Sequence, residues 1–333
     1  MNKVSLPLLS SMILSALMPT GSAFADPVPG PRARPTPTAT PKCRIIKPNG
    51  PDLTGTLIPM PAGCGDLNVQ LRLARLGAGV SLDGKALIKD ISVRDGGLGN
   101  ATVSGDKLAG AMLLGETEDG DVVRLRIDSV AAADDPNPKT PANENADVWL
   151  YKVSVQRSAT GKATSPQNAQ FKAASATWSP LCKDGGAAIV VGGSWNMHMG
   201  DPNDGAKEPM TPATQGNITF ACVGSAIAKC VTTMGYKPWR STTPTVPNAK
   251  AVSLDALHQA CVRAVRADYC GNGLSMTVAG TVVNFYDSLG VQKDEAPWPL
   301  EAVWTPAGAT CVNVPRLVTA PADPVSARPA MKV

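Results

Sequence analysis

Lys3, an apolar run from Leu6 to Leu17 and the small-residue step Ala23-Phe24-Ala25 form a leader of export type, and all eight cysteines of the chain lie beyond it. The cysteines are Cys43, Cys64, Cys182, Cys222, Cys230, Cys261, Cys270 and Cys311. An even number in an oxidising compartment predicts disulfides, so the fold is expected to be stapled as well as packed. Cleavage between Ala25 and Asp26 is predicted, giving a periplasmic or extracellular product. The leader's apolar run is too short to span a bilayer, and no later stretch approaches that length. Zinc is the weaker use for these thiols, because no C-x-x-C pair occurs and the chain has only two histidines.

Two proline-rich ends bracket the part that can fold. Residues 26–42 carry six prolines and predict an extended tether, and residues 318–333 read as a flexible tail. A third polar break, Ala131 to Asp147, contains Pro136, Pro138 and Pro141. It coincides with a step in composition: no Phe, Trp or Tyr occurs between Asp26 and Val148, and all 13 aromatics beyond the leader lie from Trp149 to Trp304. The reading is therefore a signal peptide (1–25), a tether (26–42), an aromatic-free β-rich region (43–146), a second domain (147–317) and a tail (318–333). Charged residues make up 17% of the chain and glycine plus proline are abundant, which argues against a coiled coil or helical bundle. The net charge of +4 comes partly from the leader and tether, so the folded body has no basic footprint for nucleic acid or anionic membrane.

Alternation marks the strands. Val69-x-Leu71-x-Leu73 and Val123 to Asp128 alternate in the first region, and Asp119-Gly120 before the latter suits a hairpin turn. In the second, Val148 to Val155 places Trp149, Tyr151, Val153 and Val155 on one face. Ala188 to Val191, Ile218 to Cys222, Met276 to Val278, Val282 to Phe285 and Ala302 to Trp304 are further strands. Ser225 predicts a cap for a helix with Ile227, Cys230, Val231 and Met234 inward, ended by Gly235. Ser253 predicts a second, running to about Ala267, with Leu254, Leu257, His258, Cys261 and Val265 inward and Arg263 outward. Each helix points one cysteine inward, predicting the bridge Cys230–Cys261; Cys43 with Cys64 is the other pairing expected. If the helix continues past Cys261, Cys270 is out of reach of it at about 1.5 Å per residue. The fold class is thus α+β, β-rich and disulfide-stapled: a small N-terminal β-region, then a mixed strand domain with two or more short helices.

The segment from His258 to Gly271 (HQACVRAVRADYCG) resembles the core of the ADYC domain family, named for Ala267-Asp268-Tyr269-Cys270. Trp178-Ser179-Pro180-Leu181-Cys182, Phe220-Ala221-Cys222, Ala228-Lys229-Cys230-Val231, Gly235-Tyr236-Lys237-Pro238-Trp239-Arg240 and the stretch from Glu301 to Cys311 are similar to that family's pattern as well. The resemblance runs over roughly Val148 to Leu317. It implies an exported bacterial protein in which Cys182 to Cys311 belong to one unit, and it assigns no catalytic residues.

The residues that could carry chemistry are few. His258, Cys261, Asp268 and Cys270 are the candidate catalytic group, since a thiol nucleophile needs a base and an orienting carboxylate. Against it, His258 sits on an apolar stripe and the thiol would have to escape oxidation. Asp268, Tyr269 and Gly271 can instead finish the helix, while Arg263 and Arg266 read as a solvated face. Gly79-x4-Gly84-Lys85-Ala86 lacks the hydroxyl of a phosphate loop, and Ser104-Gly105-Asp106-Lys107 lacks the partner motifs of a serine enzyme. Asp201 to Gly205 misses calcium-loop spacing, and His198 between Met197 and Met199 offers too few soft ligands for copper. No metal and no cofactor are expected. The function anticipated is an exported, non-catalytic binding or interaction module of the cell envelope or secreted fraction, with an envelope protein or glycan as partner. The alternative is a secreted hydrolase using the Cys/His pair or two carboxylates.

Overall fold

A computed structural model describes residues 53–60, 64, 67–76, 80–82, 86–88, 90–133, 145–159, 173, 175, 177–195, 210–211, 216–244, 249–267, 277, 284–287, 289–292, 300–305 and 308–311. The predicted leader, tether and tail lie outside these residues, as do Cys43, His198, Asp201 to Gly205, Asp268, Tyr269, Cys270 and Gly271.

Six antiparallel strands close into a barrel. They are β1 (Leu71–Arg75), β2 (Ala111–Thr117), β3 (Val122–Ala132), β4 (Trp149–Arg157), β5 (Ala188–Gly192) and β6 (Asn217–Cys222). Each pairs with the next in chain order, and β6 returns to β1 through Asn217 opposite Arg75 and Ile218 opposite Ala74. Closure gives each of these strands a partner on both sides, and an even number of strands allows all pairings to be antiparallel. The predicted Asp119-Gly120 turn joins β2 to β3, with Gly120 at φ 83°.

Alternation sorts the side chains. Val123, Leu125 and Ile127 of β3, and Tyr151, Val153 and Val155 of β4, fill the barrel with Leu71, Leu113, Val190 and Phe220. Tyr151 and Phe220 meet edge to face there, with ring centroids 5.9 Å apart. Gly115 of β2 faces the same crowd: a Cβ would stand 2.8 Å from Leu71 Cδ1 and 3.0 Å from Val123 Cγ2. β5 is apolar on both faces and β6 is buried on both from Ile218 to Cys222, and their outward Ile189, Val191 and Ala221 form a second core with two helices.

Those helices are α1 (Ala226–Thr232) and α2 (Asp255–Val265). Ser225 caps α1, its Oγ accepting from the Ala228 N–H at 3.5 Å. Ile227, Cys230 and Val231 are buried, Lys229 is exposed, and Gly235 follows at φ 77°. For α2 the N-cap is Leu254 rather than Ser253, whose Oγ accepts from the Asp255 N–H at 3.2 Å just outside the helix. The helix ends close to the expected Ala267: Arg266 is its C-cap and Ala267 turns left-handed at φ 55°. Arg266 is buried instead of lying on a solvated face. The Cys230–Cys261 bridge joins the helices, with Cα atoms 5.9 Å apart.

A second disulfide, Cys182–Cys222, ties the segment before β5 to the end of β6. Cys64 is also disulfide-bonded, and no cysteine among the described residues is free. These bonds fit a protein that folds in an oxidising compartment, as an exported one does. Beyond the helices, β7 (Asn284–Asp287), β8 (Leu300–Thr305) and β9 (Gly308–Cys311) make a small sheet, parallel between β7 and β8 and antiparallel between β8 and β9. No described helix is long and apolar enough to cross a membrane.

The barrel takes three strands from each side of residue 147, and β3 and β4 pair across it from Ala132 opposite Trp149 to Val123 opposite Arg157. The step in aromatic content therefore divides the sequence and not the core. Trp149 shows why: it rests against the hairpin Ser92–Arg94/Gly97–Gly99, where a Cβ on Gly97 would come within 2.8 Å of its ring. The aromatic-free side supplies glycine and aliphatic surface for aromatics donated by the other.

Candidate functional site

The chain makes an open cleft of about 360 Å³ bordered by the Cys182–Cys222 bond. Three segments build it. β6 ends at Cys222, and the chain turns through exposed Val223 and then Gly224, at φ 95°, into the cap of α1. Opposite, Cys182 leads into a tight turn at Lys183–Gly185 in which Asp184 (φ 54°) and Gly185 (φ 69°) are left-handed. That turn is held by the Gly186 N–H donating to the Lys183 carbonyl at 2.9 Å, and the Val223 N–H donates to Ala187 across the cleft's base at 2.9 Å. Gly55 forms the third wall at φ 63°; a Cβ there would press on Ser225 and Cys222 at 3.2 and 3.4 Å.

Gly55, Gly186, Ala187 and Gly224 leave main chain bare on these walls, Lys183 supplies one ammonium, and Val223, 56% exposed, supplies an aliphatic contact. The sulfurs of Cys182 and Cys222 complete the lining. Such a surface can hydrogen-bond a ligand, and Lys183 carries the one ionisable side chain among its lining residues. None of these residues except the cysteines was a sequence candidate. The Gly185-Gly186 and Val223-Gly224 steps were the available signals.

The sequence candidates for catalysis are used otherwise. His258 is buried in α2, and its Nε2–H donates to the Ile227 carbonyl at 3.3 Å. Burial pushes its pKa down to about 4, with that hydrogen bond opposing in part, so the ring is neutral near pH 7. Cys261 is fully buried and bonded to Cys230, which removes it as a nucleophile. The thiol-histidine reading is therefore corrected for this pair. Asp119 and Asp121 are two close carboxylates, and both are bound by Arg157, whose Nε also donates to the Pro59 carbonyl at 3.1 Å. They pin the β2–β3 turn. The phosphate-loop lookalike spans the hairpin Val80–Leu82/Ala86–Ile88 instead of leading from a strand into a helix, and Ser104 precedes a single turn at Gly105–Leu108. Among the described residues no group of three His, Cys, Asp or Glu could hold a metal ion.

A different cluster absorbs the Gly235 to Arg240 motif. Asp147 accepts from Lys237 Nζ at 2.6 Å, Trp239 Nε1 at 2.7 Å and Arg240 Nε at 2.6 Å. Burial pushes this carboxyl upward, but the hydrogen bonds from Lys237 and Trp239, the Lys237 charge and the Arg240 contact outweigh it and hold the pKa below its ordinary value. Tyr236 donates to Asp287 Oδ2 at 2.8 Å, and Asp287 also accepts the Leu289 N–H at 2.7 Å. The motif thus fastens α1 to the start of β4 and to β7. No spacing rule points from Lys237 to Asp147 ninety residues away, so sequence reasoning had no route to it.

A family model of the ADYC domain matches residues 105–318. The match takes in β2 and β3, upstream of the segment in which the resemblance was read. No curated protein and no solved structure matches the chain.

Proposed function

The chain belongs to the ADYC domain family, and from that premise we propose that it is an exported, non-catalytic binding or interaction module of the cell envelope or secreted fraction, released by cleavage between Ala25 and Asp26. The cleft beside Cys182 and Cys222 is its recognition surface. The observation that carries this reading is the chemistry of the walls: bare glycine main chain, one ammonium and one exposed aliphatic side chain suit an extended peptide or glycan strand better than a reacting bond. The side chains best placed by type for catalysis, His258 and Cys261, support the fold instead.

The test is binding of the purified protein to isolated peptidoglycan and to envelope protein fractions, compared with the double variant Lys183→Glu/Val223→Glu. Saturable binding that falls about tenfold in the variant, with unchanged circular dichroism, is the expected result; about 1.4 kcal/mol corresponds to that factor. Steady turnover of ester, amide or glycoside substrates by wild type, without such binding, would overturn the reading.

A further inference from the structure

We infer that Cys182–Cys222 is a site of thiol–disulfide exchange, open to an external dithiol while the protein stays folded. Both described bridges are buried, but only Cys182–Cys222 borders a cleft. Cys230 and Cys261 are both 0% exposed between α1 and α2, whereas Cys182 and Cys222 retain 4% and 6% and line an open cleft large enough to admit a small thiol. Lys183 places a positive charge next in sequence to Cys182 at the cleft wall, which favours approach of a thiolate and departure of another.

The exchange balances without any other reactant. One thiolate of the dithiol attacks a sulfur of the Cys182–Cys222 bond; that bond breaks, the second cysteine leaves as a thiolate and takes a proton, and a mixed disulfide forms. The remaining thiol of the reagent then attacks its own sulfur in the mixed disulfide and releases the first cysteine. The dithiol is oxidised to its cyclic disulfide, and the protein gains two electrons and two protons.

Both cysteines are held by main-chain bonds that do not need the bridge. Leu181, beside Cys182, donates to Val153 and accepts from Leu57, each at 2.8 Å; the Cys222 N–H donates to Thr54 at 2.7 Å and Val223 to Ala187 at 2.9 Å. Opening the bond therefore frees the sulfurs and leaves the barrel ladders intact. The inference does not depend on whether the cleft also binds a partner.

Native protein is treated with dithiothreitol in steps, alkylated with iodoacetamide and mapped by mass spectrometry, with circular dichroism followed in parallel. The expected result is labelling of Cys182 and Cys222 about a hundredfold or more faster than of Cys230 and Cys261, because the buried pair must wait for cooperative opening. The Cys182→Ser/Cys222→Ser variant is expected to fold and to lose the fast phase. Labelling of all four cysteines together, or of Cys182 and Cys222 only once the circular dichroism signal collapses, would overturn the inference. A failure of the binding test alone leaves this labelling pattern unaffected.

Discussion

Asp147 gathers three donors on one carboxylate, and they are not equal. Lys237 is buried and Arg240 is half-exposed, so losing the first removes a contact shielded from water and losing the second removes one that water can replace. Lys237→Met is expected to cost about 3 kcal/mol and Arg240→Ala less than about 1, read as the shift in urea unfolding. His258 and Asp147, both shifted downward, act in different pH windows. His258 has a folded pKa below its unfolded value of about 6.5, so its contribution is complete above that pH and is lost as pH falls toward about 4. Asp147 is held below the ordinary carboxylate range, so its contribution persists to lower pH and fails only beneath that range. Stability measured from pH 7 to 4 should therefore fall more steeply in wild type than in His258→Gln. Equal slopes would mean that the ring is not buried neutral. Ala267 makes a third case: a left-handed alanine ends α2, and Ala267→Gly is expected to stabilise by about 0.5–1 kcal/mol in the same assay.

Helices as short as α1 and α2 do not persist alone in water. They hold because their apolar stripes cover Ile189, Val191 and Ala221 and because one bridge ties them together. That bridge spans 31 residues, and replacing Cys230 and Cys261 together by alanine should cost about 3–4 kcal/mol in the denaturation midpoint. This pairing was legible because helical periodicity turns a cysteine's position into a direction. The end of α2 near Ala267 was legible too, but not the residue that turns left-handed there: Gly271 offered that stop by type, and the turn is made by Ala267. Strand faces were equally legible where one side meets solvent, as in Val123 to Ile127. The double burial of β5 and β6 shows only once the helices lie on them, although the uninterrupted apolar run of β5 is its trace.

At the scale of the molecule, closure makes the barrel one cooperative object. Separate expression of residues 43–146 and 147–317 is therefore expected to yield no dispersed NMR spectrum from either half, while the intact chain does. Independent folding of either half would restore the boundary that composition suggests. The disulfide-rich, β-rich class, the alternating faces, the cap of α1, the helix-to-helix bridge and the family were all readable along the chain. These are local or periodic properties, set by residue type and spacing along the chain. Only the tertiary structure decided that β6 returns to β1, that Lys237, Trp239 and Arg240 find Asp147, and that Cys182 and Cys222 meet beside an open cleft while His258 is sealed away. Each of those joins residues far apart in sequence, and such a meeting is fixed by the packing of the whole and leaves no mark on its neighbours.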